Sequence, residues 1–315
     1  MPRVLISTPT FGRFSAQPRE ILESAAEVHR PQPDRALRHE ELLAHVPDAD
    51  GLIVGMDDIT ADVLDAAPRL RVVAKHGVGV DTIDVAAARE RGVRVVYAPG
   101  SNSRAVAELA FGLMLAAARG IGGSHADVLG GGWPKPFGPE LAGRTLGILG
   151  FGRIGRLLGG YATAFGMDVL AHDPHLPAEV FAEHGVRSAG FADCLTGSDF
   201  VSLHLPGDPD AAPLLDRAAL ESMRPGSILV NTARGGLVDE QALAELLHSG
   251  HLGGAGVDAF SVEPPAGNPL LAAPNAVLTS HLGACSHEAN RQMGRMVAED
   301  VVRVLTGADP VHEAS

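Results

Sequence analysis

The sequence has 315 residues, of which 45% are apolar and 20% charged, and its formal net charge is −13. This length suits two globular domains, and the acidic balance argues against nucleic acid or an anionic membrane as the main partner. Two cysteines cannot form a disulfide framework, "MPRVLIS" lacks the apolar core of a signal peptide, and "AVAELAFGLMLAAARG" is too short and too polar to span a membrane. We therefore expect a cytoplasmic protein that acts on a small molecule and binds neither nucleic acid nor membrane.

In the N-terminal part of the chain, short β-rich runs alternate with helical segments. The runs are "VLIS", "GLIVG", "RVVAKHG" and "VRVVYAP". Such alternation is typical of a parallel sheet with helices on its faces. A long helix is predicted over 103–119, and it leads into a glycine-rich stretch at 130–132 that we interpret as a connection between domains.

The alternation then restarts and predicts a second parallel sheet. Its runs lie in "RTLGILGFGRIG", "MDVLAHDP", "DFVSLHLP", "SILVNTARGG", "GGAGVDAF" and "AVLTSHLG". The last helical pattern, 286–305, is expected to return the chain to the first domain. Polar residues and a glycine follow the apolar runs, namely Gly150, Asp173, His204, Arg234, Asp258 and His281. Because ligands gather at the carboxyl ends of parallel strands, we expect these positions to line a binding site.

The stretch "GILGFGRIG" contains Gly150, Gly152 and Gly155 in G-x-G-x-x-G spacing between a predicted strand and a predicted helix. In a dinucleotide site these glycines permit a tight turn, the approach of a pyrophosphate and close helix–strand packing, respectively. A plain tight turn is the alternative. Asp173 ends the next strand, where a carboxylate would bind the adenosine ribose, although an aspartate before Pro174 also suits a turn. Together these features predict NAD, because Asp173 would repel the 2′-phosphate of NADP.

Three ionisable residues are candidates for the chemistry. Arg234 in "NTARGGLVDE" could hold a carboxylate through two parallel hydrogen bonds, or could form a salt bridge at a strand end. His281 in "LTSHLGA" could exchange a proton with a ketone or alcohol, although it is one of 14 histidines. Glu263 could orient that imidazole and favour its protonated form, or could be a solvated loop residue before two prolines.

The ordered motifs "KHGVGVDTID", "GSNSRAVAELAFGLMLAAAR", "GILGFGRIG", "HDP", "VSLHLP", "ILVNTARGGLVDE", "GAGVDAFSVEPP" and "LTSHLGA" closely resemble the D-isomer-specific 2-hydroxyacid dehydrogenases. The resemblance extends over 52–305 and favours the phosphoglycerate and hydroxypyruvate branch. It implies an α/β fold of two doubly wound parallel-sheet domains. A flavodoxin-like substrate domain, 1–100 with 286–315, would be interrupted by a Rossmann NAD-binding domain, 101–285.

The resemblance also implies roles for individual residues. Arg234 matches the arginine that holds the substrate carboxylate, Glu263 the acid that pairs with the histidine, and His281 the proton donor and acceptor. The substrate-binding set is Val78 and Gly79, whose backbone amides would bind the carboxylate, with Asn102 and Lys75. The cofactor-binding set is Gly150, Gly152, Arg153, Ile154, Gly155, Asp173, His204, Thr232, Ala233, Arg234, Asp258, His281, Gly283 and Ala284. No metal is implied.

The implied reaction is hydride transfer between the nicotinamide and C2 of the acid, with His281 moving the hydroxyl proton. Gly55, Asp57 and Asp58 stand where phosphoglycerate-active relatives can carry an arginine, so a phosphate there is disfavoured. Lys75, Arg104 or Lys135 could instead meet a second anion. Many relatives have proline where this chain has Ser280. The resemblance further predicts a homodimer that pairs through the long helix and the loop around Trp133.

Two alternatives stay open from the sequence. The family includes NAD(H)-sensing corepressors that keep the same three residues, so a nonenzymatic regulator is possible on this fold. Formate and phosphite dehydrogenases also share the fold, but "KHGVGVDTID" fits the 2-hydroxyacid pattern better. The sequence ends at Ser315 without the appended domain of long serine-pathway members, so feedback control by serine is not expected.

Overall fold

A computed structural model describes residues 1–32, 34–208 and 211–314 of the chain. The chain divides into two compact units. Unit 1 comprises Met1–Asn102 and Ala284–Ser315, and unit 2 comprises Ser103–Gly283. The predicted domain ranges include Pro33, Pro209, Asp210 and Ser315, which lie outside the described residues.

Unit 1 is built on a five-stranded parallel sheet. Its strands are β1 (Arg3–Ile6), β2 (Glu27–His29), β3 (Gly51–Val54), β4 (Val72–Lys75) and β5 (Arg94–Val96). They lie in the order β2-β1-β3-β4-β5, which is the flavodoxin-like order. The predicted fold class is therefore confirmed for this unit. The strand β2 was not predicted, because it is three residues long and none of its side chains is fully buried.

Unit 2 is built on a seven-stranded parallel sheet. Its strands are β6 (Thr145–Leu149), β7 (Asp168–His172), β8 (Arg187–Ser188), β9 (Phe200–Leu203), β10 (Ile228–Asn231), β11 (Gly254–Val257) and β12 (Ala276–Leu278). They lie in the order β12-β11-β10-β9-β6-β7-β8. The chain reverses its direction across the sheet between β6 and β9, as in a Rossmann fold, and such a switch point is where dinucleotides bind.

Helices connect the strands of both units. In chain order they are α1 (Gln17–Glu23), α2 (His39–His45), α3 (Ala61–Asp65), α4 (Val85–Glu90), α5 (Ser103–Ala118), α6 (Ile121–Leu129), α7 (Arg153–Ala164), α8 (Ala178–Glu183), α9 (Phe191–Gly197), α10 (Arg217–Ser222), α11 (Glu240–His248) and α12 (His287–Leu305). The predicted helices over 103–119 and 286–305 are confirmed as α5 and α12. The start of α12 is fixed by Ser286, whose hydroxyl accepts the amide of Ala289 at 3.0 Å.

The central strands of unit 2, β6, β9, β10 and β11, are buried on both faces because helices cover each side of the sheet. Along β10, Ile228 and Val230 pack into one apolar cluster and Leu229 into the other. This alternation follows from the two-residue period of a strand. The rigid centre of the sheet thus carries the loops at its carboxyl end, where the candidate site residues lie.

Within the described residues, no single helix has both the length and the apolar character needed to cross a membrane. The neighbouring helices α5 and α6 would satisfy both criteria if they were taken together, but they are bent by 65° relative to each other. In addition, α5 packs through Ala107, Ala110 and Met114 into the core of unit 2.

Candidate active site

Six of the predicted positions lie along one edge of the unit 2 sheet. Following the strand order, His281 lies beyond β12, Asp258 follows β11, Arg234 lies beyond β10, His204 follows β9, Gly150 follows β6 and Asp173 follows β7. The fold therefore gathers residues that are separated by up to 131 positions in the sequence (281 − 150). The three candidates for chemistry, Arg234, Glu263 and His281, are all in unit 2.

His281 and Glu263 form a close pair. The imidazole Nδ1 lies 2.9 Å from Oε2 and 3.0 Å from Oε1 of the glutamate. Because a carboxylate only accepts hydrogen bonds, Nδ1 carries the hydrogen, and Nε2 is the nitrogen that can exchange a proton with a substrate. The side chains are 40% and 31% exposed, respectively, so the pair is accessible. The arrangement can hold a proton and return it.

The backbone of His281 adopts a left-handed conformation, with φ at 55°. Such a conformation costs a non-glycine residue about 1–3 kcal/mol and is found mainly where the surrounding structure enforces it. Here Asp258 enforces it. Its carbonyl accepts the amide of His281 at 3.0 Å, and its carboxylate accepts the amides of Leu282 at 2.7 Å and Gly283 at 2.8 Å. Strain at an accessible histidine indicates a functional constraint on this turn.

Asp258 is almost fully buried, and its carboxylate also accepts the hydroxyl of Thr279 at 2.6 Å. From the sequence, this aspartate was assigned only to the cofactor-binding set. Its position shows a second task, because it is the anchor of the turn that carries His281. Each carboxylate oxygen has two lone-pair sites, so the anchor and a further donor are compatible.

Arg234 follows β10, and the side chain of Asn231, the last residue of that strand, holds its backbone. The Asn231 side chain donates to the Arg234 carbonyl at 2.8 Å and accepts the Ala233 amide at 3.0 Å. The arginine Nη1 donates to the carbonyl of Ala233 at 2.9 Å. Gly207 lies against the aliphatic stem, because a Cβ there would be 2.8 Å from Cγ of Arg234. Neither Asn231 nor Gly207 was predicted from the sequence. The available signal for Asn231 was an asparagine at the end of the apolar run "ILVN".

The three glycines of the G-x-G-x-x-G segment have three different surroundings. Gly150 has φ at 93°, and a Cβ there would lie 2.5 Å from the carbonyl oxygen of His204. A Cβ on Gly155 would overlap the carbonyl of Gly150. At Gly152, by contrast, a Cβ would meet no protein atom within 4 Å. The protein itself therefore requires the first and third glycines, whereas the second leaves space above the N-terminus of α7.

Asp173 closes the other side of this loop. Its carboxylate accepts the amide of Phe151 at 3.0 Å and that of His175 at 3.1 Å. The neighbouring Arg153 and Ile154 begin α7, so their amides are among the unsatisfied donors of a helix N-terminus. These donors and the open space at Gly152 fit a pyrophosphate.

Two polar atoms near the middle of the edge have no hydrogen-bond partner within the described part of the chain, Nδ1 of His204 and Oγ1 of Thr232. Burial lowers the pKa of His204 to about 3, so its ring is neutral at physiological pH. Its Nε2 lies 2.9 Å from the hydroxyl of Ser202. Unsatisfied buried polar groups are rare in folded proteins, and the backbone of His204 lies against Gly150 of the glycine loop, so an unsatisfied nitrogen on this residue fits a bound ligand.

The predicted substrate-binding residues belong to unit 1. Lys75 ends β4 and is buried, and its ammonium donates to the carbonyl of Gly55 and to the hydroxyl of Thr82 at 3.2 Å. Val78 and Gly79 are half-buried in the loop that follows.

Two further predicted residues lie in unit 1 and two in unit 2. Asn102 is half-buried just before α5, and Ala284 begins the second segment of unit 1. Arg104 and Lys135 are exposed in unit 2. Among the residues that the structure describes, no group of three His, Cys, Asp or Glu side chains is arranged to hold a metal ion.

Comparisons of the chain with known proteins agree with the geometry of this site. The family model "D-isomer specific 2-hydroxyacid dehydrogenase, NAD binding domain" matches residues 111–283. Over 278 residues the chain is 45% identical to a D-3-phosphoglycerate dehydrogenase of Mycobacterium leprae, covering 87% of this chain and 52% of that protein. Over 275 residues it is 40% identical to a hydroxypyruvate reductase of Thermotoga maritima, covering 85% and 89%.

A solved structure of a protein from Thermus thermophilus is similar throughout, with a TM-score of 0.88, 39% identity, and coverage of 99% of this chain and 100% of that chain. The chain spans about half the length of the D-3-phosphoglycerate dehydrogenases that it matches. The chain therefore belongs to the D-isomer-specific 2-hydroxyacid dehydrogenases, with the NAD-binding domain of that family in unit 2.

Proposed function

We propose that the protein is an NAD-dependent oxidoreductase that interconverts a small 2-hydroxy acid and the corresponding 2-keto acid. The observation that carries this proposal is the His281–Glu263 pair, held on a strained turn at the same sheet edge as Arg234 and the glycine loop. The relatives named D-3-phosphoglycerate dehydrogenase and hydroxypyruvate reductase support a substrate of that size and charge.

NAD(H), when bound, supplies or accepts the hydride. Gly150, Gly152 and Gly155, with the amides of Arg153 and Ile154, are proposed to hold its pyrophosphate. Asp173 is proposed to accept the adenosine ribose hydroxyls, which favours NAD over NADP because a carboxylate repels a 2′-phosphate. The nicotinamide end is assigned to His204, Thr232, Ala233, Asp258, Gly283 and Ala284. The unsatisfied Oγ1 of Thr232 and Nδ1 of His204 support this assignment.

His281 is proposed to move the proton. With Nδ1 donating to Glu263, Nε2 gives a proton to the ketone oxygen in reduction and takes it from the alcohol in oxidation. Arg234 holds the carboxylate of the substrate and helps to stabilise negative charge that develops on the C2 oxygen. Val78, Gly79, Asn102 and Lys75 remain the proposed substrate-binding residues of unit 1.

We also propose a homodimer that forms through the long helix α5 and the loop around Trp133, together with α6, which connects them in the sequence. None of the residues of α6 is buried, and Leu129, Trp133 and Phe137 are 76%, 78% and fully exposed. Large apolar side chains clustered on one segment favour association with another surface, and a second copy of this chain is the occupant that the family resemblance implies. Light scattering during size-exclusion chromatography tests this. Trp133→Ser should weaken the dimer, whereas Leu271→Ser, an exposed apolar residue elsewhere in unit 2, should not.

The predicted cytoplasmic location remains our proposal. It is supported by the low cysteine content of the sequence, since only two cysteines are present among 315 residues. Fractionation of the native cells, with the protein followed by antibody, would test it. Recovery in the membrane pellet after a salt wash would contradict the proposal.

The decisive experiment measures the loss of NADH absorbance with purified protein and a panel of 2-keto acids. The panel comprises glyoxylate, pyruvate, hydroxypyruvate, phosphohydroxypyruvate, 2-ketoglutarate and a bulky aliphatic member. Rapid loss with one or two of these identifies the dehydrogenase and its substrate tail. Saturable NADH binding without turnover on the panel, or on formate and phosphite with NAD, would favour the NAD(H)-sensing alternative.

A further inference from the structure

The loop that carries Glu263 is held by a glutamate on a different element. Glu240 is the first residue of α11, and its carboxylate accepts the backbone amide of Ser261 at 2.7 Å, the hydroxyl of Ser261 at 2.6 Å and the side-chain amide of Asn268 at 2.6 Å. These donors stand on both sides of Glu263 in the sequence. One carboxylate therefore fixes both ends of the segment between them.

Few apolar contacts are available to hold this segment otherwise. Residues 261–264 are all exposed, and the side chain of Val262 is 68% exposed. Charge-assisted hydrogen bonds are about twice as strong as neutral ones, so the three bonds to Glu240 add substantially to the packing of the flanking residues Phe260 and Leu270 in positioning the loop. Glu263 itself is oriented within the loop by the amide of Phe260, which donates to its Oε1 at 3.1 Å.

The same loop is pressed against the backbone beside Arg234. A Cβ on Gly235 would overlap the carbonyl carbon of Phe260 and the amide nitrogen of Ser261, so the two backbones are in direct contact. From Gly235 the chain runs through a short 3₁₀ turn to Asp239, whose carboxylate accepts the Ala242 amide at 2.9 Å and caps α11. Glu240 thus closes a ring of contacts that joins the Arg234 segment to the Glu263 segment.

We propose that Glu240 is a positioning residue for the proton-transfer pair, an inference that rests on the proposed function. It acts through the 261–268 loop and holds the Glu263 carboxylate within hydrogen-bond distance of His281 Nδ1. Glu240 touches neither member of the pair directly. Its other explanation, an acidic residue in the first turn of a helix, accounts for none of the three bonds to the loop.

The test compares Glu240→Ala with Glu245→Ala in the full-length protein. Glu245 is a matched control, since it lies on the same helix and binds only Gln241 and Arg217 among the described hydrogen bonds of its side chain. We expect Glu240→Ala to lower kcat for 2-keto acid reduction by roughly ten- to hundredfold, as small misplacements of catalytic groups do. The dissociation constant for NADH should stay unchanged in both variants.

A pH profile separates positioning from general damage. A displaced Glu263 orients the His281 imidazole less well, so the pH profile of the reductive rate of Glu240→Ala should differ from that of the wild type. Glu240→Gln, which keeps an acceptor for Ser261, should restore part of the rate and of the profile. A rate and profile for Glu240→Ala equal to those of Glu245→Ala would overturn the proposal.

Two further measurements keep the outcome decisive. If Glu240→Ala does not fold, Ser261→Ala removes only one bonding group, and a wild-type pH profile in both Ser261→Ala and Glu240→Gln would refute the inference. If the wild type reduces no 2-keto acid, the proposed function fails separately. NMR titration of the His281 ring in wild type and Glu240→Gln then still reports on the pair, and coincident titration curves would contradict the role of Glu240.

Discussion

Two histidine–carboxylate pairs with nearly the same geometry lie in different units. In unit 2, Nδ1 of His281 is 2.9 Å from Glu263, and in unit 1, Nδ1 of His312 is 2.8 Å from Asp300. Their surroundings differ. The Glu263 side chain is 31% exposed, whereas that of Asp300 is 2% exposed and also accepts the amide of Val311 at 2.6 Å. The distance within a pair therefore does not identify a catalytic group.

The two pairs differ in the other hydrogen bonds that the carboxylate accepts. The oxygens of Asp300 are occupied by the backbone of the C-terminal segment, which continues as an extra antiparallel bridge between Glu313 and Val96 beside β5. The Glu263 carboxylate binds the imidazole and one amide of its own loop, and the imidazole sits on a strained turn at a strand end. We infer that the His312–Asp300 pair is structural and that the His281–Glu263 pair is functional.

The sharpest test of this comparison replaces the two histidines in turn. His281→Ala should lower turnover at least a hundredfold, equivalent to about 3 kcal/mol of barrier, and should leave NADH affinity nearly intact. His312→Ala should retain turnover within a few-fold and instead lower the thermal midpoint. Steady-state kinetics and thermal unfolding on both variants decide it. Retained turnover in His281→Ala would reverse the assignment of the pairs.

A second test replaces Arg234, which lies at the same sheet edge as the His281–Glu263 pair. Arg234→Ala should also lower turnover at least a hundredfold, with little change in NADH affinity. Arg234→Lys should recover only a small part of the rate, because an ammonium cannot form the two parallel bonds of a guanidinium. The measurement is kcat/KM with the best 2-keto acid from the panel. A lysine variant close to wild type would show that charge alone suffices.

The structural pair can be challenged at its carboxylate. Asp300→Asn replaces one acceptor oxygen by a donor, which leaves a backbone amide or the His312 ring without an acceptor. The free energy of unfolding of unit 1 should fall by roughly 1–3 kcal/mol. Denaturant unfolding followed by circular dichroism measures this change, and turnover of the folded variant should match the wild type. Lost turnover at unchanged stability would make Asp300 functional.

The smallest effect on turnover is expected from a substitution that disturbs the packing of the Arg234 side chain. Gly207→Ala would bring a Cβ to within 2.9 Å of two carbons of the arginine stem, so the side chain must shift. We expect kcat/KM to fall about tenfold or less, with unchanged NADH affinity. Gly236→Ala is the matched control, because a Cβ there meets nothing within 4 Å. Equal kinetics for the two variants would mean that the arginine tolerates displacement.

Several features were predictable from the sequence for clear physical reasons. The alternation of apolar runs and helical segments is a local property, so both parallel sheets and the helices α5 and α12 were predicted. Ordered motifs at strand ends gave the family. The short edge strands β2 and β8 were missed because strands of two or three exposed or half-buried residues leave no periodic pattern.

Other features had no local signal. The sequence predicts that Glu240 belongs near a helix start, but not that it binds a loop 21 to 28 residues away. The left-handed conformation of His281 is uncommon for a residue other than glycine and is held by Asp258, which lies 23 positions earlier (281 − 258). The sequence separation between Asp300 and His312 does not show that their pair differs in role from the pair of Glu263 and His281.

By itself, the sequence determined the elements, their alternation and the positions that follow each strand, because side-chain periodicity and turn chemistry act between near neighbours. Only the tertiary structure decided which strand ends lie side by side, which carboxylate faces which imidazole, and which glutamate holds the loop that carries Glu263. These are contacts between distant segments. They arise when the sheets and helices pack into one arrangement and bring polar groups from distant segments within hydrogen-bond distance, a requirement that no short window of sequence contains.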